Sequence, residues 1–264
     1  MQNFRNKVVW ITGASSGIGE ELAYAFSKAG AQLILSARRA TELERVKKAC
    51  SPENKIMILP LDLEKQEEFP VLVSKVVLEF GRIDILVNNG GVSQRGNAAE
   101  TSMEVDRKIM EVNYFGNIAL TKAVLPIMKQ QGYGHFVIMS SIAGKFGFFL
   151  RSAYSAAKHA LHGFYESLRL EEEKKGIRVT IVCPGKINTP ISLNALSKDG
   201  TAHGVMDHNQ ETGMPADVCA IKILNAVSKN KEEVLVGGKE IKAVTLKRLF
   251  PKLFSRIIRK QSAT

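Results

Sequence analysis

Cysteine is scarce in this chain of 264 residues: Cys50, Cys183 and Cys219 stand far apart and without CxxC spacing. That excludes a disulfide framework and a structural zinc finger and points to a reducing compartment, expected to be the cytoplasm. Long apolar runs are absent. Met1–Lys7 is polar and leads straight into VVWIT, too short for a secretory core or a membrane span. There is no Pro- or Ser-rich linker, no low-complexity tract and no fixed-period repeat, so one large domain is expected. The five histidines are scattered without ligand spacing, and no metal is expected. Acid is missing from residues 241–264 altogether, and there is one tryptophan.

What is present is mostly basic. The net charge is +11, but Lys242, Lys247, Arg248, Lys252, Arg256, Arg259 and Lys260 contribute seven of those charges. The rest of the chain, 30 basic against 26 acidic residues, carries only +4. The excess is a property of the tail, and no nucleic-acid motif accompanies it, so nucleic acid is not the expected partner.

Short apolar runs alternate with helical patterns. Strands are predicted over 7–12, 32–37, 55–63, 83–89, 134–141, 178–185 and 232–238, and helices over 17–30, 40–50, 67–80, 103–131, 153–175 and from about Pro215. The 103–131 pattern is expected to break near Pro126. Strands apolar throughout and separated by helices predict an α/β fold, a doubly wound parallel sheet of about seven strands covered on both faces. Ligands then bind at the carboxyl ends of the strands.

The first strand ends in TGASSGIG, bringing Gly13, Ser15, Ser16, Gly17, Ile18 and Gly19 to a strand–helix turn. Such a loop lets backbone approach a diphosphate and offers the N–H groups of a helix start. Its spacing is GxxxGxG rather than GxGxxG. The second strand ends Ser36-Ala37-Arg38-Arg39, where the adenosine ribose of a dinucleotide lies. No acid stands there to take a free 2′-hydroxyl. Arg38 and Arg39 suit a 2′-phosphate instead, which favours NADPH over NADH, with Arg39 equally readable as a solvated cation at a helix start. Asp62 and Leu63 close the third strand, where Asp62 accepts from an adenine amine or caps the next turn. Asn89 and Gly90 in NNGG let backbone pass close to a flat ligand or simply form a tight turn.

The chemistry is carried by Ser141, Tyr154 and Lys158. An offset of four puts Tyr154 and Lys158 on one helix face. An ammonium beside a phenol favours the phenolate and lowers its pKa from about 10. A hydroxyl thirteen residues earlier is suited to hold a carbonyl oxygen. Asn113, a poor helix former inside a helical pattern beside Tyr114-Phe115, reads as buried.

With TGASSGIG, NNGG, Asn113, Ser141 with YSAAK (154–158) and PGKINT (184–189) in this order and spacing, the chain resembles the short-chain dehydrogenase/reductase family over roughly residues 5–240. The resemblance implies an Asn113-Ser141-Tyr154-Lys158 catalytic set. Tyr154 is the general acid/base, Lys158 also binds the nicotinamide ribose, and Asn113 holds a water behind Lys158. It implies that the loop from Pro184 and Gly185, with Ile187 and Thr189, holds the nicotinamide carboxamide. Gly90 departs from the family's usual Ala. More narrowly, SSIAGKFGFFLRSAYSAAKHAL is similar to that of the NADP-preferring branch acting on hydrophobic carbonyls, the hydroxysteroid and retinoid type. The implied activity is interconversion of a carbonyl and a secondary alcohol, by a homodimer or homotetramer. The alternatives are a 3-oxoacyl-thioester reductase of lipid synthesis and a non-catalytic dinucleotide-binding regulator.

Phe146, Phe148, Phe149 and Leu150 either line an apolar pocket or belong to the core or an interface. Residues 190–213, with Gly200, Gly204 and Gly213, read as a mobile lid in which His203 and His208 are solvated. The tail, 241–264, repeats apolar residues at three- and four-residue steps with cations opposite, and Pro251 kinks it or starts a second helix. It either packs on protein or lies on an anionic membrane surface.

Overall fold

The computed structural model describes residues 4–261. Seven parallel strands form the central sheet: β1 (Val8–Thr12), β2 (Gln32–Ser36), β3 (Ile56–Ile58), β4 (Ile85–Asn88), β5 (Gly134–Met139), β6 (Ile177–Pro184) and β7 (Glu233–Val236). Their spatial order is β7-β6-β5-β4-β1-β2-β3, so the winding reverses between β1 and β4, where Trp10 pairs with Leu86. Right-handed crossovers put helices on both faces. They are α1 (Gly17–Lys28), α2 (Ala40–Lys48), α3 (Phe69–Phe80), α4 (Met103–Met110), α5 (Gly116–Gln131), α6 (Ser152–Glu172) and α7 (Ala216–Ser228).

Strand alternation divides the core in two. Trp10, Ile34, Leu86 and Phe136 pack under α3, α5 and α6 against Phe69, Val124 and Tyr165. Val9, Ile11, Leu33 and Val137 pack under α1, α2 and α7 against Phe26, Leu43 and Ile223. The seven-stranded doubly wound sheet agrees with the sequence reading.

Two boundaries differ from it. The third strand is only three residues long, because Leu59–Leu63 continues as irregular backbone toward the strand ends. The break in 103–131 falls not at Pro126, which sits inside α5, but at a π turn over Glu111–Phe115 centred on Asn113. Pro126 lacks the N–H that its turn would use, and a 16-residue helix absorbs that loss while packed on the sheet. A π turn adds a residue to the ladder and re-aims the side chains beyond it.

The tail forms two helices, α8 (Lys242–Leu249) and α9 (Pro251–Ile258), and Pro251 starts the second at its first turn. Both fold back on the body: Phe254 is buried, its ring edge-on to that of Phe146 at 5.1 Å between centroids. The Lys247 ammonium donates to the Lys145 carbonyl at 2.7 Å. Residues 262–264 of the tail lie outside the described residues.

Candidate active site

At the β1–α1 turn, Gly13 and Gly17 take φ of +64° and +58°, in the left-handed region. A Cβ on Gly19 would stand 2.2 Å from the Gly13 carbonyl oxygen, so that glycine sets helix–strand packing rather than lining a space. Ser16 caps α1 without a side-chain hydrogen bond, which leaves the first N–H groups of the helix aimed outward. Thr12 locks the loop to the neighbouring strand end. Its hydroxyl accepts from the N–H groups of Asn89 and Gly90, each at 3.0 Å. The Asn89 amide donates back to the carbonyls of Thr12 (3.0 Å) and Gly13 (3.2 Å).

These residues border a cavity of about 400 Å³ along the strand ends. Of the residues expected to hold a dinucleotide, Gly13, Ser15, Ser16, Gly17, Ile18, Arg38, Arg39, Asp62, Leu63, Asn89, Gly90 and Thr189 line it. Arg38 and Arg39 are exposed at its rim, and Arg39 is also the residue that caps α2. The Asp62 carboxylate accepts from the Glu64 N–H at 3.1 Å and so closes a turn as well. A Cβ on Gly90 would lie 2.8 Å from the Leu63 side chain, which accounts for glycine here. Pro184 and Ile187 are buried and are not among its lining residues, and Gly185 borders a different cavity, pressed against the Glu240 carboxylate. A narrow groove, left-handed glycines and an uncapped helix start fit a dinucleotide.

Asn113, Ser141, Tyr154 and Lys158 come together beside this groove. The Asn113 side chain bonds Val92 twice, accepting from its N–H and donating to its carbonyl, both at 2.8 Å. Ser141 begins a single helical turn, accepts from the Ala143 N–H at 3.1 Å and donates to the Pro184 carbonyl at 3.4 Å. Lys158 is buried. Its ammonium donates to the Met139 carbonyl at 2.6 Å and lies 5.6 Å from the centre of the Tyr154 ring.

The electrostatics differ from the simple pairing of ammonium and phenol. Burial pushes the Tyr154 phenol above its ordinary pKa, while a hydrogen bond from Ser141 and the charges of Arg151 and Arg95 pull it back. The Lys158 ammonium itself is turned to the Met139 carbonyl. Burial also lowers Lys158 itself to about 8.

A second, apolar cavity of about 690 Å³ begins at Ile142 and Ala143, next to Ser141, and at Arg151, one turn before Tyr154. Phe146 and Phe148 line it, and Leu246, Phe250 and Phe254 of the tail roof it. Phe149 is exposed instead, and Leu150 adopts φ +58° at the entry to α6. The tail therefore packs on its own body. At the cavity rim Leu249 (61%) and Phe250 (60%) stay largely exposed among cations.

A family profile described as short chain dehydrogenase matches residues 7–200. The chain belongs to the short-chain dehydrogenase family. It is 45% identical over 271 residues to a dehydrogenase/reductase SDR family protein 7-like of Drosophila melanogaster, covering 99% of this chain and 83% of that one. Among solved structures it resembles a short-chain dehydrogenase of Streptomyces avermitilis (30% identity, TM-score 0.83, 99% of this chain and 100% of that one). It also resembles an alcohol dehydrogenase of Thermococcus sibiricus complexed with 5-hydroxy-NADP (26%, 0.74, 88% and 97%). This short-chain dehydrogenase is accordingly an oxidoreductase built on a dinucleotide-binding fold.

Three further features of this short-chain dehydrogenase escaped the sequence reading. Thr12 is one, as the strand-end lock described above. Gln94 and Arg95 are another, buried polar residues that no motif marks. The third corrects the view of the histidines. His162 and Glu166, four apart on α6, meet Glu233 of β7. The Lys145 ammonium stands among them, 3.2 Å from His162 Nδ1 and 2.5 Å from Glu233, and serves as their cation. His203 is half-buried, 3.6 Å from Asp207, whereas His208 is exposed. Among the described residues no helix is long and apolar enough to cross a membrane.

Proposed function

We propose that the chain is an NADP(H)-dependent oxidoreductase that interconverts a carbonyl and a secondary alcohol on a hydrophobic substrate. The observation that carries this reading is the position of Ser141, Tyr154 and Lys158: beside the groove that fits a dinucleotide and next to the residues that open the apolar cavity. When bound, the nicotinamide supplies or accepts the hydride. Tyr154 donates its phenolic proton to the developing alkoxide in reduction and takes it back in oxidation. Its raised pKa keeps the proton in place at neutral pH, which suits the reductive direction. Ser141, whose hydroxyl stands beside the phenol, turns from the long bond to the Pro184 carbonyl to hold the reacting oxygen. Lys158, mostly protonated at pH 7 with a pKa of about 8, orients the nicotinamide ribose and restores the Tyr154 proton. The Asn113 side chain is committed to Val92, so a relay water behind Lys158 is held by backbone of the π turn. Thr189 and the backbone of Pro184–Ile187 steady the carboxamide, and Arg38, with Arg39 beside it, selects the 2′-phosphate. A purely regulatory dinucleotide-binding role has no use for an ammonium buried at Lys158.

In this reading residues 1–240 are the catalytic domain, and 241–264 a basic amphipathic attachment that roofs the substrate cavity and rests on an anionic membrane surface from the cytoplasmic side. Leu249, Phe250, Leu253 and Ile257, exposed beside Arg248, Lys252 and Arg256, support that contact. Exposed Phe115 and Leu170 leave apolar surface for a second copy in a homodimer or homotetramer.

The test is Tyr154→Phe, which keeps the ring and removes the proton. Oxidation of NADPH by apolar ketones is expected to fall at least a thousandfold, while NADPH binding persists. Turnover near that of the wild type sinks the mechanism.

A further inference from the structure

The loop that follows β6 is held from near the far end of the chain. Pro184, the last residue of β6, pairs with Val236 at the end of β7, and the Gly185 N–H donates to the Val236 carbonyl at 2.8 Å. One residue on, the Lys186 carbonyl accepts from the Met214 N–H at 2.9 Å, and Ile187-Asn188 pairs with Met214-Pro215. The Lys186 ammonium reaches the Asn209 side chain, so the 190–213 segment is anchored on this loop. Between the two backbone anchors the Lys186 N–H goes to a side chain: Glu240 Oε1 accepts it at 2.9 Å. The same oxygen accepts from the Gly238 N–H, also at 2.9 Å. Glu240 belongs to the single turn Lys239–Ile241 that joins β7 to α8.

The backbone is cut away to admit this carboxylate. A Cβ on Gly185 or on Gly237 would overlap Glu240 Oε1, and one on Gly238 would stand 2.9 Å from Oε2. None of these three glycines has a positive φ, so close approach to Glu240, not backbone conformation, accounts for them. Two segments far apart in the chain thus leave room for one side chain. A carboxylate is the stronger acceptor for a backbone N–H, and here it takes two. Beyond Lys186 the loop runs on to Thr189, which lies against the glycine-rich turn: a Cβ on Gly17 would meet its side chain at 3.1 Å. On the other side Gly185, Lys186 and Glu240 border the apolar cavity.

We infer that Glu240 is a positioning residue for the nicotinamide end of the dinucleotide: its carboxylate fixes the Gly185–Lys186 peptide and with it the path of the backbone to Thr189. The inference rests on the reading that the 184–189 loop steadies the carboxamide. What the role requires is the reach of one oxygen, since both donors are neutral backbone N–H groups on that oxygen. Without it the Lys186 N–H loses its acceptor and the loop relaxes toward the cavity. The adenosine end does not depend on Glu240. Arg38 and Arg39 follow β2, and β5, β4 and β1 lie between that strand and β6. Loss of the carboxylate therefore weakens the hold on one half of the nucleotide and leaves the other half as it was.

The experiment compares two ligands on the full chain by calorimetric titration: NADPH, and adenosine 2′,5′-bisphosphate, which is the adenosine half of that nucleotide alone. Glu240→Ala is expected to raise the Kd for NADPH roughly tenfold and to leave that for the bisphosphate within about twofold. Glu240→Gln keeps an oxygen of the same reach without the charge, and is expected to restore NADPH binding close to that of the wild type. Glu240→Asp keeps the charge but withdraws the oxygen by one methylene, and is expected to behave as Glu240→Ala. It decides the matter if Glu240→Ala fails to fold. A carboxylate with a structural role alone moves the two ligands together or moves neither, and either result overturns the inference. So does a Glu240→Gln variant as weak for NADPH as Glu240→Asp. Thr189→Ala separates this inference from the reading beneath it, by which it weakens NADPH and spares the bisphosphate. If Thr189→Ala does so while Glu240→Asp does not, the positioning role alone is refuted. If neither does, the loop does not hold the nicotinamide, and the reading falls together with the inference.

Discussion

Phe254→Ala tests whether the tail is a separable roof over the apolar cavity. Phe254 is the one buried residue of α9, 8% exposed, with its ring edge-on to Phe146 at 5.1 Å. Truncating a buried Phe costs about 3–5 kcal/mol, to which the aromatic pair contributes roughly 1 kcal/mol. Little else holds α9 in place. The Lys247 bond to the Lys145 carbonyl lies on α8 and contributes about 1 kcal/mol. An eight-residue helix has almost no stability of its own. The loss therefore exceeds the docking energy, and α9 is expected to detach and fray while the doubly wound body stays folded. A docking loss of about 3 kcal/mol multiplies the open population roughly a hundredfold. Hydrogen exchange read by mass spectrometry is expected to show that acceleration over 251–258, with β4 and β5 unchanged. KM for a large apolar ketone is expected to rise about tenfold or more, since detachment removes Phe250 and Phe254 from the cavity lining, with kcat little altered. Unchanged protection over 251–258 refutes the docking argument. A fall in global unfolding stability by the whole amount shows instead that the tail is part of the cooperative core.

Lys158→Met is expected to stabilise the protein and abolish turnover. The folded pKa of Lys158, about 8, lies below the ordinary 10.5, so above about pH 8 the unfolded chain binds more protons and stability rises with pH up to about 10.5. Below pH 8 the buried charge costs the full amount, on the order of 3 kcal/mol, and denaturant titrations at pH 7 are expected to show Lys158→Met more stable, with the advantage shrinking toward pH 10. Equal stability at pH 7 contradicts the burial argument. Arg38→Asp is expected to raise the Kd for NADP roughly a hundredfold and to lower that for NAD, measured by titration of each nucleotide; an unchanged preference removes Arg38 from 2′-phosphate selection. Neutralising Lys252 and Arg256 to Gln removes about 1 kcal/mol of attraction each to an anionic bilayer, so sedimentation with phosphatidylglycerol vesicles is expected to weaken about thirtyfold. Equal sedimentation excludes an electrostatic membrane contact.

The parts of the fold that can be read in the sequence are those written locally. TGASSGIG sits at a strand–helix turn because Gly13 and Gly17 need positive φ there, and the apolar strands announce a sheet buried on both faces. The sequence points to Pro126 rather than Asn113 for the break, because proline is a strong local signal, while a π turn has none and is set by the packing of Asn113 on Val92. Arg95 and Asp207 lie 112 residues apart and meet only in the folded chain, so nothing near either residue marks the pair. Lys158 stands where spacing puts it, on the face of Tyr154, yet spacing says nothing of the Met139 carbonyl that captures its ammonium. Amphipathicity in the tail identifies an apolar face but not its partner. Phe254 turns that face toward Phe146, while Leu249 and Phe250, at the rim of the cavity, keep more than half of their surface exposed.

Trp10 lies in the middle of β1, wholly buried, and its indole N–H donates to Ser36 Oγ at 2.8 Å. Ser36 also borders the groove that fits a dinucleotide. The chain's one indole is thus separated from that groove by a single side chain. It is a native optical probe whose emission reports both loss of the core and arrival of a nucleotide. A reduced nicotinamide, which absorbs where tryptophan emits, would draw energy from this one donor, and no second indole contributes background.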